Sequence, residues 1–348
     1  MNLEKLGWKE AFGEKDQNTV VARVISEQRQ IYKLHDGEKE ITGEVSGKFQ
    51  FQAKVKSDYP SVGDWVVIEP INNENKGIIQ KVLPRVSQFS RQSAGDKTEE
   101  QIVAANIDYV FLVMALNNDF NVRRLERYLL VAYDSGANPI IVLTKKDLCS
   151  DLQDKMAEVE EIAFGVPVFS VNSTNGEGIE DLKTLISEGK TVSLLGSSGV
   201  GKSTLLNALI GESKQVTQEV REGDDRGKHT TTHRELFFLP TGGMVIDTPG
   251  MRELQLWGGE EHISSTFTDV EDLAKSCKFS DCTHEKEPGC AVNQAIENGE
   301  LDQQRLTSYR KLMKELAYAE RKQDASLARL EREKWKKVSK MMNTKSYK

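Results

Sequence analysis

Cysteine is scarce, with four residues in a chain of 348, and three of them crowd between Cys277 and Cys290. So few thiols exclude a disulfide scaffold and point to a reducing, cytoplasmic setting. A chain of this length buries enough surface to fold without such staples. Long apolar runs are also missing. Tyr109–Leu116 and Pro139–Leu143 are only of strand length, well short of the roughly 20 residues that a membrane span needs. The opening MNLEKLGWKE carries acids and no apolar segment, so no signal peptide is expected there. After Gly299 there is neither glycine nor proline, which permits a long helix. Positive charge is short overall: the net charge is −7, which weighs against a wholesale nucleic-acid coat. Yet from Arg305 to Lys348 there are 14 Lys and Arg against 5 Asp and Glu. That block is either a solvated helix face or a basic arm that tracks the phosphates of a polyanion.

What remains is a composition of 38% hydrophobic and 29% charged residues, which suits two or three globular domains. From about residue 19 to 87, TVVARVI, KFQFQAKV and GDWVVIE read as short strands separated by the polar turns HDGE and NNENK. About five strands without an intervening helix suggest a small barrel or sandwich, either an oligonucleotide-binding barrel or a generic β-domain. Arg91–Glu100 reads as a linker. From Ile107 the rhythm becomes strand–helix alternation. The strands are YVFLVMAL, PIIVL, VPVFSV and TVSLL, and the helices lie near Val122–Tyr133, Lys155–Ala163 and Ile179–Ser187. This predicts a parallel sheet with helices on both faces and ligands at the carboxyl ends of its strands.

The sharpest motif lies at such an end. Gly196-Ser197-Ser198-Gly199-Val200-Gly201-Lys202-Ser203, followed by Thr204, fits G-x-x-x-x-G-K-[ST] between a strand and a helical run. Its glycines let backbone N–H groups wrap phosphates, Lys202 reaches the β- and γ-phosphates, and the Ser203 hydroxyl ligates Mg²⁺. Asp247-Thr-Pro-Gly250 follows the strand GGMVI. There Asp247 is expected to hold Mg²⁺ and the Gly250 N–H to sense a γ-phosphate. The base is addressed by Thr144-Lys145-Lys146-Asp147 at the end of PIIVL. A carboxylate at Asp147 accepts from guanine N1–H and the 2-amino group, a donor pair adenine lacks. Lys145 is expected to lay its stem along the base, and a backbone N–H of Asn172-Ser173-Thr174, after VPVFSV, to meet guanine O6. These elements favour GTP over ATP. They precede the phosphate loop, whereas the conventional order places that loop first. The same sheet cut at another connection produces this arrangement.

Cys277-x₄-Cys282-x-His284-x₅-Cys290 supplies three thiols and one imidazole, a tetrahedral Zn²⁺ donor set or, alternatively, three free thiols beside a surface histidine. Cys149 stands apart and is expected to be a small buried hydrophobe.

The permuted order, with GSSGVGKST, GKHTTTHRE and DTPGMREL, resembles the circularly permuted ribosome small subunit-dependent GTPase A family, also called RsgA or YjeQ. The likeness runs from YPSVGDWV to the cysteine cluster. It implies a multidomain α/β chain. Residues 1–90 form an oligonucleotide-binding-fold β-barrel that binds RNA. Residues 91–258 form a permuted P-loop GTPase domain, and residues 259–348 a mostly helical zinc-binding domain with a basic C-terminal helix. It further implies GTP hydrolysis stimulated by the small ribosomal subunit during its late maturation, binding of rRNA, one structural zinc, Mg²⁺ with GTP and a monomer. Met251 stands where many GTPases place a water-orienting glutamine. Analogy with the family offers His229 for that task, and among Thr230, Thr231 and Thr232 it points to Thr231 as a Mg²⁺ ligand. A nucleotide-gated RNA-binding module with incidental hydrolysis is the alternative. A permuted GTPase serving tRNA or a membrane partner is disfavoured by the cysteine cluster and the lack of an anchor.

Overall fold

Five short strands close on themselves at the N-terminal end of the chain: β1 (Val20–Gln28), β2 (Ile31–His35), β3 (Glu40–Val45), β4 (Trp65–Pro70) and β5 (Lys76–Val82). The computed structural model describes residues 2–13, 19–28, 30–71, 74–92, 100–163, 165–211, 234–247, 266–285 and 287–323. β1 pairs antiparallel with β2 and β4, β2 with β3, and β4 with β5, while β3 and β5 run parallel. Closure of this ring pairs the edges that an open five-stranded sheet would expose, except at the C-terminal end of β1. Burial along β3 alternates residue by residue, as a pleated strand with one inward face requires. Leu34, Ile41, Val45, Val66, Ile68 and Ile79 fill the interior.

One expected strand is a helix. In KFQFQAKV the two phenylalanines alternate with polar residues, which mimics a half-buried strand. The segment instead forms α1 (Gly47–Gln52), capped by the Ser46 hydroxyl, which accepts from the Phe49 N–H at 3.0 Å. Phe49 enters the barrel core beside Tyr59, whereas Phe51 is 92% exposed. Residues i and i+2 share a face in a strand but lie on opposite sides of a helix, so the opposite burial of Phe49 and Phe51 fits the helical turn alone. The Ser46 cap favours that turn locally.

Beyond the barrel, β6 (Gln88–Gln92) and β7 (Glu100–Ala105) form an antiparallel pair. The ends of the expected linker, Arg91 and Glu100, therefore lie in strands. The alternating region then follows: β8 (Tyr109–Ala115), α2 (Val122–Ser135), β9 (Asn138–Thr144), α3 (Leu152–Ile162), β10 (Val168–Ser170), α4 (Ile179–Leu185), β11 (Thr191–Leu195), α5 (Lys202–Ile210), β12 (Arg234–Phe238) and β13 (Met244–Asp247). The strand order is β10-β9-β8-β11-β13-β12, with β12 alone antiparallel to its neighbour. Phe111, Val113 and Ala115 of β8 pack against Leu182 of α4 and Leu205, Leu206 and Leu209 of α5. The intervening Val110, Leu112 and Met114 are buried too, so both faces of the sheet are covered. The chain leaves β8 toward β9 and β10, then returns to place β11 on the other side of β8. That reversal opens a crevice at the strand ends where ligands of such sheets bind.

The barrel and this sheet are joined through β1, whose Ser26 and Glu27 pair with Glu235 and Arg234 of β12. Buried Arg23 reinforces the junction. It donates to the carbonyls of Leu6, Gly63 and Asn106, the last at 3.0 Å. Gly63 is required there: its φ is +93°, and a Cβ would lie 2.0 Å from the Ala105 carbonyl oxygen.

The chain divides into two compact units, Met1–Ala94 with Glu99–Gln255, and Gly95–Thr98 with Leu256–Lys348. In the second, the described helices are α6 (Thr268–Ala274), α7 (Ala291–Glu297) and α8 (Gln303–Gln323). Arg305 ties α8 to α6 through a fork on Asp269, at 2.9 and 3.0 Å, and lies over the Phe267 ring. The long helix expected after Gly299 is present through Gln323; the rest of the basic block lies outside the described residues. No described helix is long and apolar enough to cross a membrane.

Candidate functional site

The phosphate loop leaves β11 at Gly196 and enters α5 at Lys202. Gly199 and Gly201 have φ of +76° and +96°, a backbone that side chains with a Cβ rarely adopt. Gly196 is needed for a different reason, because a Cβ there would lie 2.4 Å from the Val113 carbonyl oxygen. Val200 is buried in the core beneath the loop, so the loop is anchored by its one apolar residue. Lys202 lies along the loop and donates to the carbonyls of Gly196 and Ser197 at 2.7 and 2.6 Å. Ser203 is the second residue of α5, and Asp247 ends β13, which pairs with β11. A hydroxyl and a carboxylate are both oxygen donors suited to a hard cation.

The segment Thr144–Asp147, expected to read the base, meets this loop directly. Thr144, buried at the end of β9, donates through its hydroxyl to the Val200 carbonyl. Lys145, in the left-handed region at φ +58°, places its ammonium 2.7 Å from the Gly199 carbonyl oxygen. Asp147 follows in a single exposed turn, Lys146–Leu148. Lys146 pairs with Glu177 at 2.5 Å and donates its backbone N–H to Val171, which holds the β9 end against the loop after β10. In that loop Asn172 is occupied structurally: its side-chain oxygen accepts from the backbone N–H groups of Thr174 and Asn175 at 3.0 and 3.4 Å. The Ser173 hydroxyl is buried with no hydrogen-bond partner among the described residues, which leaves it able to meet a polar ligand edge.

His229, Thr230, Thr231, Thr232, Gly250 and Met251 lie outside the described residues. Two contacts were not anticipated from the sequence. Arg124 and Tyr128 of α2 both reach the Ser197 hydroxyl, at 2.7 and 3.1 Å. In sequence, α2 shows only amphipathic spacing, and nothing local indicates that its first turns face the loop.

In the second unit, the ligand atoms of Cys277, Cys282, His284 and Cys290 lie within 4.8 Å of one another. His284 is 3.4 Å from the Cys290 sulfur and 3.6 Å from that of Cys277, in each case through Nδ1. Asn293 donates its backbone N–H to the Cys290 sulfur, a contact that orients a thiolate ligand. Burial, with the neighbouring thiols, pushes the Cys282 thiol up to about 11. A dication at the centre would reverse this by stabilising the thiolate. The donor set and its spacing fit a metal ion.

Comparison with known proteins bears on both sites. A family model described as RsgA GTPase matches residues 82–257. An ABC transporter model matches residues 179–336, a span that contains the phosphate loop but neither Thr144–Asp147 nor Asn172-Ser173. The chain is 49% identical to the small ribosomal subunit biogenesis GTPase RsgA 1 of Oceanobacillus iheyensis, covering 97% of this chain and 98% of that protein. To the small ribosomal subunit biogenesis GTPase RsgA of Opitutus terrae it is 45% identical, over 97% and 96%. Among solved structures it resembles YjeQ from Thermotoga maritima, with TM-score 0.63 and 30% identity over 86% of this chain and 98% of that one. It also resembles YloQ, a circularly permuted GTPase, with TM-score 0.62 and 28% identity over 87% and 97%.

Proposed function

The chain belongs to the RsgA GTPase family, and on that premise we propose that it hydrolyses GTP to GDP and phosphate in late maturation of the small ribosomal subunit. The observation that carries this reading is the pair of contacts from Thr144 and Lys145 to Val200 and Gly199. They bring the strand end that precedes Asp147 against the phosphate loop, which supports reading the two as one nucleotide site. Relatives along nearly the whole chain carry names that state small ribosomal subunit biogenesis, which supports that subunit and its rRNA as partners.

In this reading Asp147 selects guanine and Ser173 lies at the base edge. The amides of Gly196–Thr204 cradle the phosphates, and Lys202 stabilises charge on the transferred phosphoryl group. Ser203 and Asp247 would hold Mg²⁺, with Thr231 joining them, and Mg²⁺ would supply charge neutralisation across the β- and γ-phosphates. His229 orients water, and the Gly250 N–H reports the γ-phosphate. Cys277, Cys282, His284 and Cys290 hold one structural Zn²⁺. Residues 1–90 and the basic block after Arg305 supply RNA contacts, 91–258 the GTPase and 259–348 the zinc domain, in a cytoplasmic monomer.

The test is steady-state phosphate release from GTP and ATP, with and without purified small ribosomal subunits. A slow, GTP-selective rate that rises many-fold with subunits is expected. A GTP-selective rate that subunits leave unchanged returns the chain to a nucleotide-gated RNA-binding module or to another activator.

A further inference from the structure

Ser197 occupies a position that the phosphate-loop motif leaves chemically open, yet a chain of side chains converges on it. Asp119 accepts from Arg124 Nη1 with both carboxylate oxygens, at 2.9 and 2.8 Å. The same Nη1 lies 2.7 Å from the Ser197 hydroxyl, with Tyr128 at 3.1 Å on its other side. The backbone carbonyl of Ser197 in turn accepts from the Lys202 ammonium at 2.6 Å. A guanidinium cannot lose its proton, so Arg124 is always a donor and Ser197 Oγ always an acceptor in this pair. The base of Arg124 is fixed as well, because the Asn121 side chain caps α2 by accepting the Arg124 backbone N–H at 2.9 Å. Arg124 is 27% exposed and its charge is largely met by Asp119. Its effect on a bound phosphate is therefore one of geometry more than of field.

We propose that Arg124 is a positioning residue for hydrolysis: anchored by Asp119, it fixes Ser197 and through it the placement of the Lys202 ammonium. This rests on the reading of the loop as the site of GTP hydrolysis. A loosened loop still binds nucleotide through the remaining amides, but it must reorganise to meet the charge that develops in the transition state. The loss therefore falls on kcat more than on KM.

The experiment measures kcat and KM for GTP in the full chain for wild type, Arg124→Ala, Ser197→Ala, the double variant and Lys202→Ala, with each melting temperature. Each of the first two substitutions is expected to lower kcat about tenfold, the scale of one charge-assisted hydrogen bond, with KM within about threefold. The double variant should fall no more than about twofold below the poorer single, because both remove one contact. Where Arg124→Ala does not fold, Arg124→Lys serves; its stem is one bond shorter, so the ammonium falls short of the Nη1 position that meets both Asp119 and Ser197, and a kcat at least about threefold below wild type is expected. Wild-type kcat in folded Arg124 variants, or losses that multiply in the double variant, overturn the proposal. If Lys202→Ala is inactive while Arg124→Ala is normal, only this inference falls. A wild-type chain that does not turn over GTP removes the hydrolase reading and this one with it.

Discussion

The Lys145 ammonium lies 2.7 Å from the carbonyl oxygen of Gly199. Lys145, whose backbone lies in the left-handed region, thus closes the end of β9 against the phosphate loop. Lys145→Met keeps the apolar stem that would lie on the base and removes only the ammonium. It should raise the KM for GTP at least about tenfold, the scale of one hydrogen bond to a charged group, with kcat nearly unchanged. Steady-state kinetics read both quantities.

Asp147 is exposed on the turn that follows Lys145, free to receive a base edge. ITP lacks the 2-amino group of GTP, so the wild-type chain should prefer GTP, and Asp147→Ala should bring the two KM values together. Equal KM values already in the wild-type chain would sink the assignment of guanine to Asp147.

Arg23 is fully enclosed, and burial lowers its pKa to about 10, so it stays charged at neutral pH. Arg23→Met would fill part of the space but strand the carbonyls of Leu6, Gly63 and Asn106. A loss of about 3 kcal/mol is expected from unsatisfied buried acceptors. In differential scanning calorimetry this should appear as a Tm drop on the order of 10 °C.

His35 sits where the barrel meets β12, its ring 5.9 Å from that of Phe238, and its Nδ1 accepts from the Gly37 N–H at 3.0 Å. Burial holds its pKa below 6.5 despite the opposing pull of Asp36 and Glu40. The folded state therefore favours the neutral ring, and its contribution is present above the unfolded pKa and is lost as pH falls below about 6.5. His35→Asn preserves an acceptor without titrating. Melting curves between about pH 7 and 5 should be flatter for this variant than for wild type in that window.

Metal analysis should find one zinc per chain, lost in Cys282→Ser. Because metal binding and folding are linked, the variant should lose helical signal from α6–α8 on heating before the wild type does. Zinc retained at one equivalent in the variant would contradict the four-ligand site.

The phosphate loop, the strand–helix rhythm from Ile107 and the Cys₃His spacing were legible in the sequence, because each depends on residues close together in the chain. Ser173 was legible only as part of a loop; its orphaned hydroxyl is a property of the packed structure. In α1, Phe49 and Phe51 alternate with polar residues as strand residues would, and the cap that makes the segment helical rests on the single hydroxyl of Ser46.

By itself the sequence determined the chemistry on offer: a phosphate cradle, a carboxylate suited to guanine, a metal donor set, and an order of motifs that only a permuted sheet accommodates. Tertiary structure decided which of these groups meet. Arg124 and Ser197 are 73 residues apart, Thr144 and Val200 56. No local propensity records such pairs, because they exist only once α2, β9 and the phosphate loop after β11 are brought to the same edge of one sheet. The closure of β1 against β4 is of the same kind, a long-range pairing that becomes favourable only when the whole barrel forms.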